Sequence, residues 1–236
     1  TAVAGATSVS LSALTDNTDY EVYVRSACAG GEFSTWTGPL NFTTDCASAT
    51  SFNENFDSVS TPILPDCWSS IVSGVTSSFA SVTTSTSADS SVPNGVSLYN
   101  SSSLSGDIML VSPSVSNLSA GTHRLKVKVR SNHEAQDLEI GTLSDPTDSS
   151  TFAVLETLDT NTTFSEFIVD FSTYTGTDMY IGFRRLLTST YTYVYLDDIV
   201  WEDIPSTPPG CAANFSNTLD ASCGNFDFDI SWDATD

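Results

Sequence analysis

Positive charge is the scarcest property of this sequence. Seven Lys and Arg stand against 29 Asp and Glu over 236 residues, a formal net charge of −22. Like charges repel, which argues against nucleic acid and anionic membranes as partners and leaves cations and neutral sugars. The few cations are also clustered: apart from Arg25 they lie between Arg124 and Arg185, and none occurs from Ser26 to His123. Acid without counter-charge serves either metal binding or solubility in salty surroundings. Long apolar runs are missing, none reaching the roughly 18 residues that a membrane-spanning helix needs. Histidine occurs only at His123 and His133 and no C-x-x-C pair exists, so a zinc site has little support. There is no G-x-S-x-G elbow and no Gly-rich phosphate cradle, and nothing singles out two carboxylates for glycoside hydrolysis. The chain is therefore read as non-catalytic. No signal peptide opens it, and it reads as internal, mature sequence.

Five cysteines are present: Cys28, Cys46, Cys67, Cys211 and Cys223. In an acidic, Ser/Thr-rich chain such cysteines point to disulfides formed outside the cytoplasm, hence to a secreted or cell-surface protein. The local pairs Cys28–Cys46 and Cys211–Cys223 are expected first, which leaves Cys67 odd; Cys46–Cys67 is the main competitor. The odd count suggests a partner cysteine outside this sequence.

Helical periodicity is almost absent and alternation is common. Tyr20-Glu-Val22-Tyr-Val24, Leu125-Lys-Val127-Lys-Val129, Phe167-Ile-Val169-Asp-Phe171 and Tyr191-Thr-Tyr193-Val-Tyr195 all repeat with period two. Short β-branched and aromatic runs separated by Ser, Gly, Asn and Asp clusters describe antiparallel sheets packed as a sandwich. The predicted fold class is all-β, with no helix longer than about two turns.

Residues 1–45 carry Leu11-Ser-Ala-Leu14, Thr18-Asp-Tyr20, Ser34-Thr-Trp36 and Asn41-Phe42-Thr-Thr44. This resembles the C-terminal part of a fibronectin type III module, which implies a tyrosine corner and a closing strand. Residues 211–236 resemble the N-terminal part of another, with Cys211-Ala-Ala-Asn-Phe215 and Phe226-Asp-Phe228-Asp-Ile230-Ser-Trp232 as strands. Between that segment and the middle of the chain lies a Pro-rich linker, residues 204–210. The chain is thus expected to be a window onto a longer modular array.

Residues 47–203 form the complete unit. Its landmarks run Glu54-Asn-Phe56-Asp57, Pro65-Asp-Cys67-Trp68, Gly106-Asp107-Ile-Met-Leu110-Val-Ser-Pro113, Tyr180-Ile-Gly-Phe183-Arg184 and Tyr195-Leu-Asp197-Asp198-Ile199. In that order they resemble the MAM-like group, which includes the cleaved-adhesin domains of gingipains and anchor-associated jelly rolls of bacterial surface proteins. The resemblance implies an antiparallel jelly-roll β-sandwich, adhesion to cells or matrix, and first and last strands lying side by side. The sequence lacks the Asp-Gly-rich loop that commonly follows the Trp in cleaved adhesins.

On the residues alone, Glu54 shares a strand face with Phe52 and Phe56, an expensive place for a charge unless it is paired or metal-bound. Asp197 and Asp198 interrupt an apolar strand. If first and last strands are neighbours, Glu54, Asp57 and one of Asp197 or Asp198 converge on one hard cation, and Ca2+ is the expected cofactor. Asp107 is a weaker candidate, and the competing reading is that these acids accept backbone N–H groups at strand ends. Trp36 and Trp68 are expected in the core. Tyr191, Tyr193 and Tyr195 are either a stacking platform for sugar rings or cross-strand core packing. Arg184-Arg185 is expected to tether an acidic loop of this molecule or of a neighbouring copy.

The leading functional expectation is a structural and adhesive segment of a long surface protein, a fibre or stalk. Its partners would be cell-surface glycans, proteins or other copies of the chain. The rival is a carbohydrate-binding accessory region of a secreted polysaccharide-degrading enzyme.

Overall fold

The computed structural model describes residues 8–205 apart from 29, 76, 102, 103 and 135. The segment 211–236, with Cys211 and Cys223, lies outside the described residues. The chain divides into two compact units, Thr1–Asp203 and Ile204–Asp236. Among the described residues the only helical turns are three short 3-10 turns, and no helix is long and apolar enough to cross a membrane.

Strands β1 (Asp19–Val24) and β2 (Thr37–Thr43) make an antiparallel hairpin. Tyr20 stacks on Phe42, and its hydroxyl accepts a hydrogen bond from the Thr15 N–H, five residues upstream. That backward bond is the one a tyrosine corner makes. Trp36, expected in the core, is instead 59% exposed, with the Arg25 guanidinium 4.5 Å from its ring centroid. Alternation predicts a face, but a two-stranded ribbon has no second sheet to bury it.

The remaining eleven strands form two antiparallel sheets. One holds β4 (Ser69–Ser73), β7 (Asp107–Val111), β9 (Leu138–Leu143), β10 (Ala153–Leu158) and β12 (Tyr180–Arg185), in the order β10-β9-β12-β7-β4. The other holds β3 (Phe52–Glu54), β5 (Ala80–Ser85), β6 (Gly95–Asn100), β8 (His123–Ser131), β11 (Ser165–Asp170) and β13 (Thr192–Asp203), in the order β11-β8-β13-β6-β5 with β3 also on β13. The sandwich expected from period-two patterning is what forms.

Its core is built by that patterning. On β8, Leu125, Val127 and Val129 are fully buried, while Arg124, Lys126, Lys128 and Arg130 take the opposite face. Ile108 and Leu110 of β7, Ile140 of β9 and Ile181 and Phe183 of β12 meet Leu98, Val194, Leu196 and Trp201 from the other sheet. Trp68 lies 5.5 Å from both Phe52 and Phe56 and 6.2 Å from Phe183, so it is in the core as expected. The outward side of the five-stranded sheet carries a smaller buried cluster of Ile71, Met109, Val111 and Leu143. Phe152 packs on it, and a Cβ at Gly141 or Gly182 would come within 2.7 or 2.8 Å of its ring.

β13 is the organiser. One edge pairs with β8 over most of its length; the other pairs with β6 from Thr192 to Leu196 and with β3 from Ile199 to Trp201. First and last strands of the sandwich are therefore neighbours. Between the two partners the register with β8 shifts, and Asp198 adopts φ 48°. This is a bulge, and bulges re-aim side chains.

Candidate functional site

The pairing of β3 with β13 sets Glu54 near enough to Asp57 and Asp197 to feel both charges, while Asp198, on the bulge, serves Lys128. Asp197 is fully buried and accepts the Ser90 and Ser91 N–H groups at 2.6 and 2.7 Å on one oxygen and the Asp198 N–H at 2.7 Å on the other. Glu54, opposite Ile199, accepts the Phe56 N–H at 2.6 Å. Asp57 accepts the Asn94 N–H at 3.0 Å. Asp198 turns the other way to Lys128, 2.8 Å off. Burial pushes the Glu54 carboxyl above the usual range, and the Asp57 and Asp197 charges add to that. Burial also raises Asp197, against the opposing pull of its three backbone donors. Asp107 is not part of this group: it sits on the other sheet, 3.3 Å from Arg184. Among the described residues no three His, Cys, Asp or Glu side chains are grouped so as to hold a metal ion, and no cation forms an ion pair with Glu54, Asp57 or Asp197.

Arg184 and Arg185 part company because successive strand residues face opposite ways. Arg184 reaches Glu139 at 2.7 Å and Asp107, with its guanidinium 4.5 Å from the Phe152 centroid. Arg185 points inward and is 1% exposed. It donates to the carbonyls of Thr192 and Ser189, to the Thr192 hydroxyl and to the Gln136 side chain, and burial lowers its pKa to about 10. It ties the end of β12 to the loop leading into β13.

Tyr193 and Tyr195 lie on the face of the six-stranded sheet opposite the core residues Val194 and Leu196, with Tyr193 partly exposed and Tyr195 buried. Tyr193 stacks on Tyr99, its direct cross-strand partner, at 4.3 Å and on Tyr195 at 5.6 Å, the latter rings 4° from parallel. The Arg130 guanidinium covers the next face of Tyr195 at 4.1 Å and lies 5.1 Å from Phe164. The rings therefore stack on one another, with Tyr193 between Tyr99 and Tyr195. Tyr191 does not share the strand: it precedes β13 with φ 59° and is 72% exposed. The platform imagined from spacing is thus a ladder of stacked rings plus one separate exposed ring.

Beside the ladder runs the basic row of β8. Arg124 pairs with Glu202 at 2.7 Å, Lys126 with the same oxygen at 3.4 Å, and Lys128 with Asp198. Sequence reasoning passed over Arg130, which belongs to both row and ladder.

Among the described residues a disulfide joins Cys46 to Cys67, and Cys28 is a free, exposed thiol. The expected Cys28–Cys46 pair is thereby corrected in favour of its competitor. Cys67 lies beside Trp68 just ahead of β4, and Cys46 before β3, so the bond closes the loop that holds the first strand.

No family model and no curated protein matches the sequence. Among solved structures, the K2 cleaved adhesin domain of Lys-gingipain matches with 21% identity and a TM-score of 0.52, covering 64% of this chain and 99% of that one. The K1 domain of Lys-gingipain from Porphyromonas gingivalis W83 matches with 17% identity and a TM-score of 0.52, over 65% and 98%. A mutant form of the family 29 carbohydrate-binding module CBM29-2 follows with 12% identity and a TM-score of 0.43, over 65% and 92%. The chain shares the cleaved-adhesin fold, an all-β, jelly-roll-like sandwich.

Proposed function

We propose that this chain is a non-catalytic adhesive segment of a secreted or cell-surface protein, and that its contact surface is the outer face of the six-stranded sheet, taking a glycan. The observation that carries this is the row Tyr99, Tyr193, Tyr195, Arg130 and Phe164, with Tyr191 exposed beside β13. Stacked rings and a guanidinium held in fixed places bind with little loss of rotamer freedom, and hydroxyl edges suit sugar hydroxyls. Sharing the fold of domains named as adhesins supports the adhesive reading. Residues 1–45 and 211–236 act in it as parts of flanking fibronectin type III modules, a reading that the Tyr20 bond to Thr15 supports. A glycan array on the whole chain tests the proposal. Tyr193→Ala and Tyr191→Ala should each abolish or sharply weaken the signal with the fold retained. Absence of any glycan signal, with self-association in its place, would sink it.

A second element concerns calcium. Glu54 and Asp197 are two carboxylates with raised pKa values and no paired cation, on strands that are direct neighbours. Glu54, Asp57 and Asp197 are not grouped closely enough to hold a cation as they stand, so calcium would have to draw them together and take its remaining ligands from backbone carbonyls. Bound calcium would join the first strand to the last and so add to stability, by about 2.7 kcal/mol at 100 times its dissociation constant. Identical melting curves with calcium and with chelator would dismiss it.

A further inference from the structure

We infer that the glycan is acidic and that Arg130 takes its carboxylate; this rests on the reading of the sheet face as a glycan surface. Four cations project from the outer side of β8. Three are answered by carboxylates: Arg124 and Lys126 by Glu202, and Lys128 by Asp198. Among the described residues no carboxylate pairs with Arg130. The register explains why. Arg124 faces Glu202 across the ladder to β13 and Lys128 faces Asp197, whereas Arg130 faces Tyr195.

Arg130 is nevertheless held in place. Its guanidinium lies on Tyr195 and near Phe164, and one N–H donates to the Ser87 carbonyl. A guanidinium has five N–H donors in a planar fork, so most of the fork remains for a ligand. A fork held over the Tyr195 ring, in a row of stacked tyrosines, fits a planar carboxylate attached to a ring of hydroxyls, the chemistry of uronic and sialic acids. The net charge of −22 opposes anions at long range, but at physiological salt charges beyond about 8 Å are largely screened, and the local field at Arg130 decides.

The test titrates the full chain, near physiological salt, with two matched pairs of probes: trigalacturonate against galactotriose, and sialyllactose against lactose. The acidic member of at least one pair should bind on the order of tenfold or more tighter than its neutral partner, and the pair that discriminates identifies the source of the carboxylate. Arg130→Gln should erase the discrimination. Arg130→Lys keeps the charge without the fork and should erase most of it, which also covers the case in which the first variant does not fold. Equal binding within both pairs, or acidic binding unchanged in both variants, overturns the inference. Neutral sugars bound in preference would overturn it while leaving the glycan surface standing. Failure of every probe to bind would also overturn the inference, and the glycan array then decides whether the glycan surface stands.

Discussion

Removing the Cys46–Cys67 bond is the sharpest perturbation of the sandwich, because the bond spans 21 positions and encloses β3. In the chain-entropy description, a loop of that size is worth about 3 kcal/mol of constraint on the unfolded chain. For a domain of this size each kcal/mol corresponds to roughly 2–4 °C, so Cys46→Ser/Cys67→Ser should melt roughly 6–12 °C lower than the oxidised protein. Calorimetry of the oxidised, reduced and doubly substituted forms measures this, with the last two melting together. The double substitution keeps Trp68 and its three aromatic contacts, so the loss should appear as easier unfolding with native near-ultraviolet dichroism. A shift under about 2 °C, or a peptide map of unreduced protein with Cys46 linked to Cys28, would refute the reasoning.

Other outcomes follow from the same contacts. In chelator, the raised carboxyl of Glu54 means that the folded state holds its proton more tightly than the unfolded one, so its contribution to stability falls as pH rises through the raised value; Glu54→Gln should melt higher than the parent near neutral pH and lose that advantage on acidification, read from melting curves at a series of pH values. Arg185→Ala leaves the Thr192 and Ser189 carbonyls without their buried donor and should destabilise by about 3 kcal/mol or more, measured by urea titration, whereas Arg25→Ala on the exposed hairpin should cost well under about 1 kcal/mol. Gly95→Ala places a Cβ 2.1 Å from the Ala88 carbonyl oxygen, and the urea midpoint should fall by the equivalent of about 1–3 kcal/mol.

The sandwich was legible because strands such as β8 write their two faces in different alphabets, Leu-Val-Val against Arg-Lys-Lys-Arg. β13 was not legible in the same way. Both of its alternating sets are apolar or aromatic, so periodicity could not say whether Val194 and Leu196 or Tyr193 and Tyr195 meet the core; pairing with β6 and β8 decides that. Tyr191 fell off the predicted face because a left-handed residue breaks the period just before the strand. Placing acids on the first and last strands put Glu54 within the electrostatic reach of Asp57 and Asp197, while the grip of Asp197 on backbone N–H groups depends on the loop carrying Ser90 and Ser91, which no spacing announces. Arg130 was missed because Arg124, Lys126, Lys128 and Arg130 look equivalent in sequence, and only the register sets a tyrosine opposite the last of them. The cysteines offered separations too similar to rank by loop entropy.

The pairing of Phe52 with Trp201 means that the chain enters and leaves the sandwich at one end. Pulled there from both sides, the β3–β13 ladder would unzip one bond at a time instead of shearing as a whole. The Cys46–Cys67 bridge reroutes that tension: force arriving along the segment before Cys46 crosses to Cys67 and enters the domain at Trp68, leaving β3 slack. Resistance to forced unfolding is a matter of rate, and the rate is set by whichever contacts lie on the force path. In the oxidised protein the path on the entry side bypasses β3 and begins at the aromatic core; in the reduced protein the pull falls on β3 directly, and it is the first to peel from β13.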